Sequence, residues 1–194
     1  SKIQRWSQIR QGWPNQPLRL YGAGADSGTF DYFTEAIVGK AKAIRTDYQP
    51  TEDDNVTIKG VAGDTYAMGF LGYAYYEENK DKVKAVAIDH GKGCVLPSRE
   101  TVLDGTYQPL SRPLFIYVNV KSLDRPEVQA FVDFYLSPAA RRAIRSTGYV
   151  ELPSEAYRIG QELVKRRKAG TFFMELPAGT PLSKFIQELD KELR

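Results

Sequence analysis

A turn rich in glycine and hydroxyl side chains, placed between an apolar run and an amphipathic segment, constrains this chain most. Residues 18–21 are typical of a short strand, and residues 22–29, Gly-Ala-Gly-Ala-Asp-Ser-Gly-Thr, follow at once. Apolar residues then recur at helical spacing, and Gly39 is placed to end the helix. The apolar positions are Phe30, Phe33 and Ile37. The sequence therefore predicts a strand, a glycine-rich turn and a helix over about residues 28–38.

Such a turn has the chemistry to hold an anion. Where a turn delivers the chain to a helix N-terminus, several backbone N–H groups point outward with the helix dipole behind them. Ser27 and Thr29 add hydroxyl donors, and Gly28 lets an oxyanion approach the backbone with no side chain in the way. Serine is also a preferred N-cap, so the pattern alone leaves open whether Ser27 binds an anion or only caps the helix.

Two common nucleotide motifs do not match this turn. The P-loop has four residues between its glycines and then a lysine, whereas five residues separate Gly22 from Gly28 and no lysine precedes Thr29. The dinucleotide fingerprint that would start at Gly22 needs a third glycine where Ser27 stands. The sequence therefore does not favour a nucleotide site.

Composition excludes several other classes. In 194 residues, 27 Lys and Arg against 24 Asp and Glu leave a net charge of +3, which does not indicate a nucleic-acid partner. The single cysteine, Cys94, excludes an internal disulfide, and the single histidine, His90, excludes two-histidine zinc motifs. No strong nucleophile motif surrounds either residue, so we predict no catalytic residue, metal or cofactor. No apolar run approaches the roughly 20 residues that cross a bilayer.

The chain changes character near residue 123. Before that point strands and helices alternate, and after it the pattern is mainly helical. The predicted strands, besides residues 18–21, cover residues 69–76, 83–88 and 113–120. The predicted helices cover residues 65–68 after Asp64, residues 98–103, a segment from Pro126, and residues 139–146, 154–167 and 182–193. Residues 56–58 fit either a strand or a helix that the acidic residues 52–54 would start.

Seven blocks together resemble the phosphate-binding proteins of bacterial phosphate ABC importers. The likeness runs through nearly the whole chain, and several of the blocks are specific. They are DSGTFDYFTE (26–35), EDDNV (52–56), GFLGYAYY (69–76), PSRETV (97–102), PLSRPL (109–114), FYLS (134–137) and GYV (148–150).

The resemblance implies a fold and a function. The fold is α/β and periplasmic-binding-protein-like, of type II or Venus-flytrap form, with phosphate buried between two lobes. The function is extracytoplasmic capture of inorganic phosphate for an ABC transporter permease, by a protein that is not an enzyme and carries no cofactor. We expect residues 1–122 to form the second lobe and residues 123–194 to return to the first.

The same comparison suggests that the N-terminal part of the first lobe is absent from this chain. Family members begin with hydroxyl-rich turns of that lobe, whereas this chain starts just before its Ser-Gly-Thr turn. We therefore expect its apolar faces to be covered by the missing segment or by another copy of the chain. We also expect an export signal to lie outside this chain.

The resemblance also implies site residues. In the family the Ser-Gly-Thr turn at a helix start binds phosphate. Its residues correspond to Ser27, Gly28 and Thr29 here. Many members place an arginine four residues before that serine, where this chain has Ala23. Because a planar guanidinium can bind two phosphate oxygens, we predict that Arg45 replaces it, with Asp47 holding the guanidinium in place. The alternative is an ordinary surface arginine.

Two other functions stay open at this point. A phosphate-ester hydrolase on the oxyanion site would need a nucleophile with a base, and only Ser27 near Asp26 or Asp31 is available. Alternatively, the chain is a fragment with no independent ligand binding. The basic run at residues 165–168 is interpreted as a solvated helix end, with contact to a permease or an anionic surface as the alternative.

Overall fold

The computed structural model describes residues 2–170 and 176–194. The chain divides into two compact units, Ser1–Val86 and Ala87–Arg194. This division falls ahead of the predicted lobe boundary between residues 122 and 123. The predicted boundary concerns the lobes of a whole family protein, and it stays a prediction.

The first unit is built on a parallel sheet of three short strands in the order β2-β1-β3. The strands are β1 (Arg19–Ala23), β2 (Gln49–Thr51) and β3 (Ala67–Phe70), and the helices between them are α1 (Gly28–Val38) and α2 (Asp54–Ala62). A third helix, α3 (Tyr73–Glu78), follows the last strand, and a 3-10 helix (Trp6–Gln8) precedes the first. Central β1 pairs Tyr21 with Gln49 on one side and with Gly69 on the other.

The predicted strand, turn and helix are confirmed. Helix α1 ends at Gly39, whose φ of 77° is the left-handed conformation that glycine adopts without strain. Residues 56–58, which fitted either element, lie in α2, which starts because the Asp53 carboxylate accepts a hydrogen bond from the Asn55 N–H at 2.9 Å. The interpretation of the acidic run as a helix start therefore holds for Asp53 and Asp54.

Close packing joins the helices to the central strand. Gly22 leaves room for the Phe70 ring, which stacks on Phe33 with centroids 4.1 Å apart and an interplanar angle of 4°. Gly60 of α2 lies against the Tyr21 ring in the same way. The core side chains of this unit are Ala23, Phe30, Ile58 and Ala74.

Three strand predictions and one helix prediction are wrong. Residues 65–68 do not form a helix, because Ala67 pairs with Arg19 at the start of β3. Of residues 69–76, only the first two belong to β3, and Tyr73 begins α3. Of residues 83–88, only Ile88 is in a strand, and residues 113–119 form none. Apolar and aromatic patterning indicates burial, but a strand also needs a neighbouring strand to pair with, which local patterning does not specify.

From Pro126 onward the second unit is mainly helical, as predicted for the chain after residue 123. A short antiparallel hairpin of β4 (Ile88–Asp89) and β5 (Cys94–Val95) precedes α4 (Arg99–Leu103) and a 3-10 helix (Val120–Asp124). The later helices are α5 (Pro126–Tyr135), α6 (Pro138–Ser146), α7 (Ser154–Lys165) and α8 (Leu182–Lys191). The core side chains of this unit are Leu123, Val132, Ala140, Ala156, Tyr157 and Ile159.

Residues 166–168 of the basic run, which follow α7, make ion pairs and a hydrogen bond within the unit. Arg167 Nη2 lies 2.7 Å from Asp124 Oδ1, and Lys168 Nζ lies 3.5 Å from Glu192 Oε2. Arg166 donates to the carbonyl oxygen of Leu193 at 2.5 Å. These contacts hold the end of α7 to the segments before α5 and after α8. Throughout residues 2–170 and 176–194, every helix is too short or too polar to cross a bilayer.

Candidate functional site

The β1–α1 turn, residues 24–27 together with the first two residues of α1, lies at the carboxyl edge of the parallel sheet. The Gly24 N–H donates to the carbonyl oxygen of Thr51 at 2.9 Å, which ties the turn to the end of β2. The Ser27 N–H donates to the Gly24 carbonyl oxygen at 3.1 Å and closes the turn. This edge is where open α/β sheets bind their ligands, because the turns that follow parallel strands gather there.

Ser27 is the N-cap of α1. Its backbone is extended, with φ −90° and ψ 130°, and its Oγ accepts a hydrogen bond from the Thr29 N–H at 3.1 Å. Its carbonyl oxygen accepts from the Asp31 N–H at 3.3 Å. The hydroxyl still has its own proton to donate, since a serine oxygen can accept and donate at once. Capping, one of the two interpretations of Ser27, is therefore observed, and it leaves a donor for an anion.

The structure brings Ser27, Gly28 and Thr29 together at one helix start. Gly28 is exposed, while Ser27 and Thr29 are half-buried. A helix leaves its first N–H groups without intrahelical acceptors, and these groups carry the positive end of the dipole. The result is an accessible surface of backbone and hydroxyl donors on a helix of 11 residues.

Glu52 lies against this turn, which the sequence analysis missed. Its Oε1 accepts a hydrogen bond from the Asp26 N–H at 3.4 Å. A Cβ on Gly24 would lie 2.0 Å from that oxygen, so the carboxylate fits only because residue 24 is glycine. Glu52 directly follows β2, the neighbour of β1 in the parallel sheet. That parallel pairing is the signal that could have placed it beside the turn.

Two further polar side chains, Tyr48 and Asp31, lie near the turn. The Tyr48 hydroxyl donates to the Ala23 carbonyl oxygen at 3.2 Å. Burial, and then the charge of Glu52, raise the pKa of Tyr48 above its ordinary value. In the first turn of α1, Asp31 Oδ1 is buried with no hydrogen-bond partner among the described residues. A carboxylate at this position complements the positive end of the helix dipole.

The contacts of Arg45 lie elsewhere in the first unit. Its Nε and Nη2 donate to the two carboxylate oxygens of Asp47, both at 2.5 Å, and its Nη1 donates to the Ile3 carbonyl oxygen at 2.7 Å. Asp47 therefore holds the guanidinium, as expected. Within the described part of the chain, no hydrogen bond of Arg45 reaches the β1–α1 turn. Its role as the phosphate cation stays a prediction.

The single histidine and the single cysteine, for which no catalytic or metal role is predicted, lie in the second unit. His90 is exposed in the β4–β5 hairpin and Cys94 is exposed in β5. The turn of this hairpin is shaped by Asp89, whose Oδ1 accepts from the Gly91 and Gly93 N–H groups at 2.8 and 3.0 Å. Among residues 2–170 and 176–194, no three His, Cys, Asp or Glu side chains are grouped so as to hold a metal ion.

The chain belongs to the PBP superfamily, because the model of the PBP superfamily domain matches residues 1–139. This membership, together with the parallel sheet and its helices, confirms the predicted α/β, periplasmic-binding-protein-like fold.

The curated relatives of the chain include proteins named SphX and phosphate-binding proteins named PstS. The chain is 50% identical over 188 residues to the protein SphX of Synechocystis, covering 94% of this chain and 56% of that protein. It is 35% identical over 155 residues to the phosphate-binding protein PstS of Staphylococcus haemolyticus, covering 79% of this chain and 48% of that protein. These relatives confirm the resemblance to phosphate-binding proteins, and the chain spans about half of their length.

A solved structure agrees with both findings. A possible phosphate binding protein from Planctomyces limnophilus matches with a TM-score of 0.71 and 44% sequence identity. The match covers 87% of this chain and 60% of that one.

Proposed function

We propose that this chain is part of an extracytoplasmic receptor that captures inorganic phosphate and delivers it to an ABC transporter permease. The observation that carries the proposal is the Ser27–Gly28–Thr29 turn, which presents donors at a helix start in a chain whose relatives are named phosphate-binding proteins. Capture involves no bond making or breaking, so the proposal needs no catalytic residue and no cofactor.

The turn supplies donors suited to phosphate oxygens. The Gly28 N–H at the start of α1 and the hydroxyls of Ser27 and Thr29 can donate to one oxyanion. Hydrogen bonds to a charged partner are stronger than neutral ones. A site built from fixed donors also selects by geometry, because each oxygen must meet a donor. We therefore place the second-lobe half of the phosphate site at Ser27, Gly28 and Thr29.

Arg45 is the proposed source of positive charge. Burying phosphate without a cation is costly, and Ala23 stands where many family members keep arginine. Nη1 and Nη2 of Arg45 each make one of the hydrogen bonds described above, and each nitrogen carries two protons, so two N–H groups are left for a ligand. The two hydrogen bonds to Asp47 orient the planar guanidinium before the ligand binds.

The first-lobe half of the site is proposed to come from outside residues 1–194. The chain spans about half the length of its curated relatives, and residues 114–117 expose four consecutive large apolar side chains. Such a run supports the prediction that a first-lobe segment, or another copy of the chain, covers this surface.

The hydrolase alternative is less well supported. Ser27 Oγ is engaged by the Thr29 N–H, and a nucleophilic serine would need a neighbouring base as well. PstS and the Planctomyces limnophilus protein are named for binding phosphate and for no reaction.

Isothermal titration of this chain with phosphate, sulfate and arsenate tests the proposal. We expect phosphate binding that Thr29→Ala weakens, with no release of product from a chromogenic phosphoester. Turnover that Ser27→Ala abolishes would support the hydrolase instead. Absence of anion binding would support the fragment without independent binding.

A further inference from the structure

The Glu52 carboxylate occupies part of the β1–α1 turn. It accepts the Asp26 N–H at 3.4 Å, and both of its oxygens lie within 3.4 Å of the position that a Cβ on Gly24 would take. The backbone at Gly24 is thus covered by a carboxylate that arrives from the end of the neighbouring strand β2.

A carboxylate is itself an oxyanion, and it uses the same kind of donor that phosphate needs. Glu52 is exposed and has a flexible side chain, so it can leave the turn without disturbing a core. Around it the charged neighbours are acidic: Asp26 lies in the turn, while Asp53 and Asp54 start α2. These carboxylates and that of Glu52 itself oppose an arriving anion.

We propose that Glu52 is an internal occupant of the anion-binding turn, which phosphate must displace. This inference rests on the proposed function, because it assumes that phosphate binds at the Ser27–Thr29 start of α1. It assigns Glu52 the role of a positioning residue that keeps the turn ordered when empty and lowers affinity for the ligand.

Titration with inorganic phosphate measures the displacement. Glu52→Gln keeps an oxygen acceptor for the Asp26 N–H but removes the charge, and Glu52→Ala removes both. We expect Glu52→Gln to raise phosphate affinity about fivefold or more, since the opposing charge is gone. Glu35→Gln, an exposed carboxylate in the last turn of α1, is the matched control and should leave affinity unchanged.

A second measurement needs no ligand. In Glu52→Ala without phosphate, the Asp26 amide loses its acceptor, so its hydrogen exchange should be faster than in the wild type and its NMR resonance should move. Glu35→Gln should leave that amide unchanged. If the exchange rate and the NMR resonance of the Asp26 amide are the same in Glu52→Ala as in the wild type, the inference is wrong whatever the titration shows.

The two proposals fail in different ways. Phosphate binding to the wild type with unchanged or weaker binding to Glu52→Gln overturns the role of Glu52 and leaves the proposed function standing. Phosphate binding to none of the variants contradicts both.

Discussion

The guanidinium of Arg99 donates hydrogen bonds to both carboxylate oxygens of Glu151, although the two residues are 52 positions apart. Arg145 Nη1 donates to the same carboxylate at 2.9 Å, so Glu151 joins the start of α4 to the end of α6. The Glu151 side chain is only 8% exposed, whereas the two arginines are about half exposed. A buried carboxylate is thus held between two cations that face solvent.

The pH dependence of stability should report this contact. The hydrogen bond from Arg99, followed by smaller contributions that include Arg145, lowers the pKa of Glu151 from 4.5 to about 2, against the opposing effect of burial. Because the folded pKa is depressed, the stabilisation is present above pH 4.5 and is lost as the pH falls toward 2. Urea unfolding of wild type and Glu151→Gln across this range should show a smaller pH dependence for the variant.

At neutral pH, Glu151→Gln should lower the free energy of unfolding by about 1 to 3 kcal/mol, because it weakens charge-assisted hydrogen bonds to a buried group. The matched control is Glu127→Gln, whose carboxylate pairs with Arg125 while both side chains are well exposed. That change should cost less than about 0.5 kcal/mol. If the two variants lose the same free energy of unfolding, the burial of Glu151 does not strengthen its ion pairs.

Ser27→Ala and Thr29→Ala should each weaken phosphate binding by about 1.5 to 3 kcal/mol, the range for a hydrogen bond to a charged partner. Since Ser27 also caps α1, its variant should lose about 1 kcal/mol of stability as well. Ser137→Ala removes the N-cap of α6 and is the control, because it should lower stability without changing phosphate affinity. Unchanged affinity in both turn variants would leave Ser27 and Thr29 as helix-start residues only.

Arg45→Lys should lose much of the phosphate affinity, because a point charge cannot reproduce a two-pronged contact. Arg19→Lys is the control, since Arg19 pairs with Asp64 and its side chain is well exposed. Titration calorimetry with phosphate compares the two variants. If Arg45→Lys binds phosphate like the wild type, the arginine serves only to join Asp47 to the Ile3 carbonyl.

Gly22→Ala should destabilise the first unit. The added Cβ would lie 2.2 Å from the Phe70 ring, which cannot move without breaking its stack on Phe33. Overpacking of this kind costs about 1 to 3 kcal/mol, measurable as a lower urea midpoint. Gly72→Ala is the matched control, because the nearest atom to its added Cβ would lie at an ordinary contact distance of 3.6 Å. Gly91→Ala is unsuitable as a control, because a φ of +84° would strain the alanine itself.

Local sequence signals were sufficient to predict the strand, the turn and the helix that form the candidate site. The strand, turn and helix around Ser27 follow from apolar spacing, a capping hydroxyl and a glycine at the helix end, all of which act within a few residues. The helices after Pro126 follow from the same kind of signal. The resemblance to phosphate-binding proteins then placed these elements in a fold that no local pattern could specify.

Tertiary structure decided the contacts between segments distant in sequence. Glu52 reaches the β1–α1 turn because β2 pairs in parallel with β1, and Arg45 meets Ile3 because the N-terminal segment packs on the same unit. Residues 113–119 have a strand pattern yet pair with no described strand. The sequence determined the helix starting at Ser27, the helices after Pro126 and the apolar runs, since these depend on neighbours within one or two turns. Strand pairing and the partners of charged side chains depend on which distant segments meet, and only the folded chain decides that.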